Sequence, residues 1–213
     1  MTLERPILLV GGAPRVPVDA IRHLTVAATG TTALALQAKL RRLGRDSQLL
    51  LSLDAAPGAA ALRYADRDAL EEAMGAWIAQ HPDGCVVMSA AVNDYRVTRV
   101  ERWEGGEVRA LRPGEKLPSG ADEVVIRLRQ DSKLIDRLRP SFGLRGPIIG
   151  FKYEDASTVL ASAAALCGRV QAACIAANSL CGSVLALVDA GGVERHASRE
   201  ALVEALTSRI AAA

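Results

Sequence analysis

Short apolar runs without alternation, each followed by a helical stretch, constrain this chain more than any other feature of its sequence. The runs are "RPILLVGG", "DSQLLLSL", "CVVMSAAV", "GPIIGF" and "CIAAN". A strand that is apolar on both sides suits a parallel sheet covered on both faces. Between them lie "TTALALQAKLRRLG", stopped by Gly44, then "DRDALEEAMGAWIAQHPDG", with an acidic first turn and a Pro-Asp-Gly stop, and "DASTVLASAAALCGRVQA". These read as helices by their start and stop residues. "SVLALVDAGGVERHA" reads as a hairpin turning at Ala190–Gly192, and "SREALVEALTSRIAAA" as a closing helix with Ser198 as N-cap. Strands alternating with helices predict an α/β fold, Rossmann-like and doubly wound around a mostly parallel sheet. The 213 residues, 50% of them apolar, can bury one sizeable core, so 1–213 is expected to form a single domain. With only 3% aromatics, Ala, Leu and Val must do the packing.

One segment breaks the pattern. From Asn93 to Gly120 the chain is polar and carries the turns "WEGGEV" and "RPGEKLPSG". It is too long for an ordinary connection, and such excursions are usually functional lids or disordered; a flap is expected at about 94–122. "DEVVIRLRQ" then alternates as a half-exposed strand, and "DSKLIDRLRPSF" reads as a short helix.

Several classes are excluded. A net charge of +2 is too small to argue for nucleic acid or an anionic membrane. No apolar run approaches membrane-spanning length, and no basic segment followed by an apolar stretch opens the chain. The cysteines Cys85, Cys167, Cys174 and Cys181 form no CxxC pair, and Cys85 and Cys174 sit in apolar runs as small core residues. A reduced, cytoplasmic location is expected. GxGxxG and GxxxxGK[ST] are both absent, which argues against nicotinamide and P-loop sites, and none of the three histidines completes a hydrolytic triad.

Ligands of doubly wound sheets bind beyond the carboxyl ends of the strands. The segments to inspect are therefore 11–22, 89–94, 151–154 and Asn178. Gly11 and Gly12 would let a phosphate or sugar approach the backbone, or simply make a turn. Asp19 and Arg22 form either a local ion pair or an arginine offered to phosphate or carboxylate. In "SAAVNDYRV", the small Ala90 and Ala91 leave room for a flat base, and Asp94 for a ribose hydroxyl or a metal; a plain Asn-Asp turn is the alternative. Lys116 in "GEKLPSG" would neutralise phosphate charge if the flap closes over a site. Lys152 stands ready for a phosphate, and Asn178 for a cap or a ligand.

In order along the chain, these segments resemble the phosphopantothenoylcysteine synthetase (phosphopantothenate–cysteine ligase) family. Its opening "GGT-x-E-P-I-D-x-V-R-x-I-T-N-x-S-S-G" meets "GGAPRVPVDAIRHLTVAATG" at Gly11, Gly12, Pro17, Asp19, Arg22, Thr25 and Gly30. "AAVNDY", "EKLPSG", "SKLIDRL", "GFKYE" and "AAN" follow where the family has its own forms of these motifs. The resemblance implies a ligase that uses CTP or ATP with Mg²⁺ to activate a carboxylate as an acyl-nucleotidylate, which an amine such as that of cysteine displaces. It also implies a homodimer with flaps and sites near the subunit interface, and small-molecule partners only. On matching positions, Lys116 would be the flap lysine, with Arg22 and Asp94 beside it in catalysis. Met88, Ser89, Ala90 and Asp94 would border the nucleotide, with Gly11, Gly12, Ser132, Lys133, Leu134, Ile135, Phe151 and Lys152. No flavin is argued for.

Two departures stand out. The family's asparagine, which acts on the acyl intermediate, falls at Val26, a residue with no hydrogen-bond donor, and Ala27, Ala28 and Thr29 follow it. The later helix has Leu166 and Val170 near the family's lysines, with Arg169 as a substitute. The resemblance therefore leaves open a paralogue with altered substrate, or a catalytically impaired homologue acting as a binding or heterodimer partner.

Overall fold

A computed structural model describes residues 4–213. In chain order its elements are β1 (Ile7–Gly11), β2 (Val16–Pro17), β3 (His23–Leu24), α1 (Thr31–Arg42), β4 (Gln48–Ser52), β5 (Leu62–Tyr64) and α2 (Arg67–Gln80). There follow β6 (Cys85–Met88), β7 (Tyr95–Glu104), β8 (Glu107–Ala110), β9 (Glu123–Gln130), α3 (Leu134–Arg137) and β10 (Ile148–Glu154). The last are α4 (Val159–Val170), β11 (Cys174–Ser179), β12 (Leu185–Asp189), β13 (Gly192–Arg195) and α5 (Arg199–Ala212).

Eight strands form the central sheet in the order β13-β12-β11-β10-β6-β1-β4-β5, with the β11–β12 and β12–β13 pairings antiparallel and the others parallel. The chain winds outward from β1 through β4 to β5, then returns to the other side of β1 with β6. That reversal makes the sheet doubly wound, as the sequence pattern predicts. Alternate residues of each strand feed two cores. Leu8, Val10, Val86 and Ile148 pack with α2, α3 and α4 on one face, and Leu9, Leu51, Val87 and Ile149 with α1 and α5 on the other.

The helices begin and end as their sequences dictate. Asp66 and Ser198 accept hydrogen bonds from the Ala69 and Ala201 amides, capping α2 and α5. Gly44, at φ 73°, lets the amides of Gly44 and Arg45 return to the Arg41 and Leu40 carbonyls, the paired bonds of a left-handed helix stop. The helix expected around 131–142 is shorter than its sequence suggested, a four-residue α3. Arg139 and Pro140 follow, and a proline disfavours helical backbone in the residue before it.

The excursion is itself a sheet. β7, β8 and β9 pair antiparallel in the order β8-β7-β9, with a register shift between Val97 and Arg99. The alternating segment "DEVVIRLRQ" thus belongs to the excursion, whose root extends to Asp131. Among the described residues no helix is long and apolar enough to cross a membrane.

Burial sorts the cysteines. Cys85 and Cys174 are 0% and 1% exposed, and burial pushes both thiols up to about 12. Cys181 is exposed, and hydrogen bonding to Ser183 and Ser179 lowers it to about 7. Iodoacetamide at neutral pH should therefore add once per native chain, at Cys181, with a rate that rises as pH passes about 7. Intact-mass spectrometry checks this, and Cys181→Ser should leave the folded protein unlabelled.

Candidate active site

At the carboxyl end of β1 the backbone is packed directly against side chains of α1, β4 and the turn after it. A Cβ on Gly11 would lie 2.9 Å from that of Ala33 in α1, and one on Gly12 would lie 2.2 Å from Ser52 Oγ. Gly12 has φ 85°, a left-handed conformation that glycine adopts without cost. Around this point the Tyr64 hydroxyl donates to the Gly11 carbonyl, the Ala13 amide to Ser52 Oγ, and the Ala91 amide to the Gly12 carbonyl. The two glycines therefore serve close packing of the rim. They do not line the cavity beside it.

That cavity, of about 280 Å³, opens between the ends of β6 and β10, against α3 and α4. Met88, Ser89, Ala90, Asp94, Lys133, Leu134, Ile135, Phe151 and Lys152 line it, nine of the positions singled out from sequence. Ala91, Val92, Tyr153, Leu166 and Arg169 complete the lining. Met88, Leu134, Ile135, Phe151 and Leu166 offer apolar surface to a flat ring. Lys133, Lys152 and Arg169 offer three cations.

Each cation already has a carboxylate partner. Lys133 pairs with Asp94, Lys152 with Glu154 at 2.7 Å, and Arg169 with Asp136 at 3.0 Å. The Lys152 ammonium holds Glu154 below the ordinary carboxylate range. Ion pairs this exposed are worth at most ~1 kcal/mol, so a polyanion can exchange with them at little cost. Asp94 is the one carboxylate in the lining, and no cluster of three His, Cys, Asp or Glu side chains suited to a metal occurs among the described residues.

The remaining sequence-predicted residues lie apart from this cavity. Lys116 is exposed on the flap loop, Val26 is 42% exposed on the loop before α1, and Ser132 is held from below by Arg67. Asn178 is half-buried at the end of β11 beside Tyr153 and Leu185, with no hydrogen-bond partner for its Oδ1.

Asp19 and Arg22 do form an ion pair, and it reaches further than a local contact. The Asp19 carboxylate, fully enclosed, accepts from the amides of Ile21, Arg22 and Leu117. Arg22 donates to the Leu117 carbonyl at 3.2 Å, and Ala20 to that of Glu115 at 3.4 Å. The pair thus clips the flap loop on both sides of Lys116 to the turn after β2.

A family model described as "DNA/pantothenate metabolism flavoprotein C-terminal domain" matches residues 3–190, most of the chain. The chain belongs to this family. The fold agrees with solved structures along nearly its whole length. The DNA/pantothenate metabolism flavoprotein from Streptococcus pneumoniae is 18% identical with a TM-score of 0.78, and 99% of each chain is covered. The C-terminal domain of the coenzyme A biosynthesis bifunctional protein CoaBC is 18% identical with a TM-score of 0.70, over 98% of this chain and 94% of that one. A Cab2 mutant in complex with phosphopantothenate-cysteine is 15% identical with a TM-score of 0.73, over 98% and 88%. No curated protein is matched by sequence. In this family member, β13 and α5 lie beyond the matched residues, yet the structural agreement extends through them.

Tyr153 lies within the 151–154 segment and the "GFKYE" motif but was not itself singled out, and sequence reasoning missed the clip, whose partners are 98 residues apart. Arg169 was visible only through the resemblance, as a substitute for the family's lysines on the later helix.

Two measurements follow. Asp19 is penalised by burial, but the Ile21, Leu117 and Arg22 amides and the Arg22 guanidinium more than offset this and hold it far below its ordinary range. A depressed carboxylate stabilises above its unfolded pKa and is lost as pH falls through the folded one. Limited proteolysis at the 112–120 loop should thus be constant from pH 5 to 8, while Asp19→Asn should speed cleavage there across that window. Gly12→Ala should destabilise by about 1–3 kcal/mol from backbone strain alone, with the Ser52 clash adding to it, read as a lower denaturant midpoint.

Proposed function

We propose that this protein is a carboxylate–amine ligase of the phosphopantothenate–cysteine type, consuming CTP or ATP with Mg²⁺ and working as a soluble homodimer, with an acid or amine that differs from the family's. The observation that carries this reading is the cavity between β6 and β10, where apolar walls and three cations meet. A cytosine or adenine ring would lie against Phe151, Leu134, Ile135 and Leu166. Lys133, Lys152 and Arg169 would take the phosphates, exchanging their present carboxylate partners for them.

With that placement the chemistry needs little from covalent groups. The substrate carboxylate attacks the α-phosphorus, the bond to the β-phosphate oxygen breaks, and pyrophosphate leaves. The amine nitrogen then adds to the acyl carbon, the nucleotide monophosphate departs, and the amine's proton goes to solvent or phosphate. Positioning and cation stabilisation of the departing charge supply the rate. The metal would enter with the triphosphate, and Asp94 is the carboxylate available to it; magnesium is commonly held by one or two carboxylates plus substrate phosphates. Lys116 would act when the flap closes or when it reaches the cavity of a second copy.

Val26 favours a second reading, in which the chain is a catalytically weakened homologue that binds a partner subunit. A side chain without a donor cannot hold the oxygen of an acyl intermediate, and loss of one such donor typically slows a reaction by roughly 10²–10³.

Calorimetry with CTP and ATP in the presence of Mg²⁺ should show saturable binding of at least one; binding of neither would end the ligase reading. In a pyrophosphate-release assay across acids and amines, Lys116→Gln should abolish turnover. Val26→Asn should raise it, by up to about 10²-fold if that donor alone is missing. Heterodimer formation with an intact synthetase, with no turnover by the isolated chain, would favour the second reading.

A further inference from the structure

We infer that Arg67 is a positioning residue: its buried guanidinium fixes the root of the flap so that Lys133 and Asp94 are presented together at the rim of the cavity. Arg67 is the first residue of α2 and is 6% exposed. A cation there is opposed twice, by desolvation and by the positive end of the helix dipole. Such a residue persists only where its surroundings compensate it.

The compensation comes from the flap's root as well as from the helix itself. Arg67 Nε donates to Glu71 at 2.8 Å, one turn along α2. Its Nη2 donates to the Ser132 carbonyl, and its Nη1, which makes no hydrogen bond, lies 3.3 Å from Asp131. Arg96 on β7 binds Asp68 at 2.9 Å and also Asp131. Arg137 on α3 binds Glu71. Three guanidinium groups and three carboxylates thus interlock α2, β7, α3 and the link between β9 and α3. Arg96 in turn holds Asp131 below its ordinary range.

The position of this cluster matters more than its size. The flap leaves the body at Asp94–Tyr95 and returns at Gln130–Asp131, and the Asp131 amide donates to the Asp94 carbonyl at 2.8 Å. Arg67 grips the residue after that rung, Ser132. The next residue, Lys133, pairs with Asp94 at the cavity. A shift of Ser132 therefore moves a proposed phosphate ligand and a proposed ribose or metal ligand together.

A general brace would stabilise the whole molecule; a positioning residue acts locally, which hydrogen exchange separates. In the full chain, Arg67→Met should raise exchange roughly tenfold or more in peptides spanning 93–98 and 128–134, leaving 7–11 and 85–88 within about twofold. Arg96→Gln, on a half-exposed side chain that folding tolerates, should act in the same direction, and it carries the test if Arg67→Met does not fold. Arg145→Gln, which removes an exposed pair with Asp83, should change none of these peptides.

Calorimetry supplies the second readout, and only this arm rests on the nucleotide reading of the cavity. Affinity for CTP or ATP should fall about tenfold in Arg67→Met. If the unaltered protein binds neither nucleotide, the functional reading fails and exchange alone decides the anchor. Exchange that is unchanged at the root, or raised equally everywhere, overturns the role. Raised root exchange with unaltered nucleotide affinity overturns it too, since Arg67 would then be no more than a brace.

Discussion

Everything at the rim depends on how closely neighbouring elements approach the backbone at the end of β1. The glycines there leave no room for a side chain between β1, α1 and the turn after β4. That closeness lets Tyr64, Ser52 and Ala91 reach backbone groups of the same short segment. The ends of β1, β4, β5 and β6 are tied into one corner, and of these four the segment after β6 goes on to line the cavity. The cavity then opens one strand further along, between β6 and β10, where side chains can diverge. A packed corner beside an open cleft is what a doubly wound sheet provides where its winding reverses.

Charge is spent in two ways on either side of this corner. At the flap's root one guanidinium, that of Arg67, is buried among carboxylates, with the more exposed Arg96 and Arg137 networked around it, so its role is geometric. Around the cavity the pairs are single and accessible, so their cations can change partners. What separates the two is the burial of Arg67: a paired charge deep in a protein is costly to separate, whereas paired charges at the surface are held weakly. The same residue types therefore make a fixed anchor in one place and a binding surface in the other.

Much of this was legible in the sequence because it is periodic or local. The unalternating apolar runs became parallel strands, Asp66 and Ser198 became caps, and Gly44 became a helix stop. Nine lining positions came from the resemblance, with Lys133, Leu134 and Ile135 at the start of α3 and the rest at or just beyond strand ends. What was hidden is non-local. Leu62–Tyr64 is too short to show a period, though Tyr64 is buried. "DEVVIRLRQ" showed its alternation, but its partner β7 lies within a stretch that read as irregular. Arg67 looked like one more charge in a helix's first turn, and nothing in its neighbours announces that residues 131 and 132 fold against it. Asp19 showed its bond to Arg22 but not its grip on Leu117.

The margins of the central sheet carry a consequence of another kind. On one side it ends in β13, Gly192–Arg195, bearing Glu194 and Arg195, and on the other in the three residues of β5, with Arg63 at their centre. Short, charged borders offer little template for a foreign strand to extend. Crowded copies of this molecule would thus be kept from joining border to border into fibrous aggregates, leaving their encounters to other surfaces.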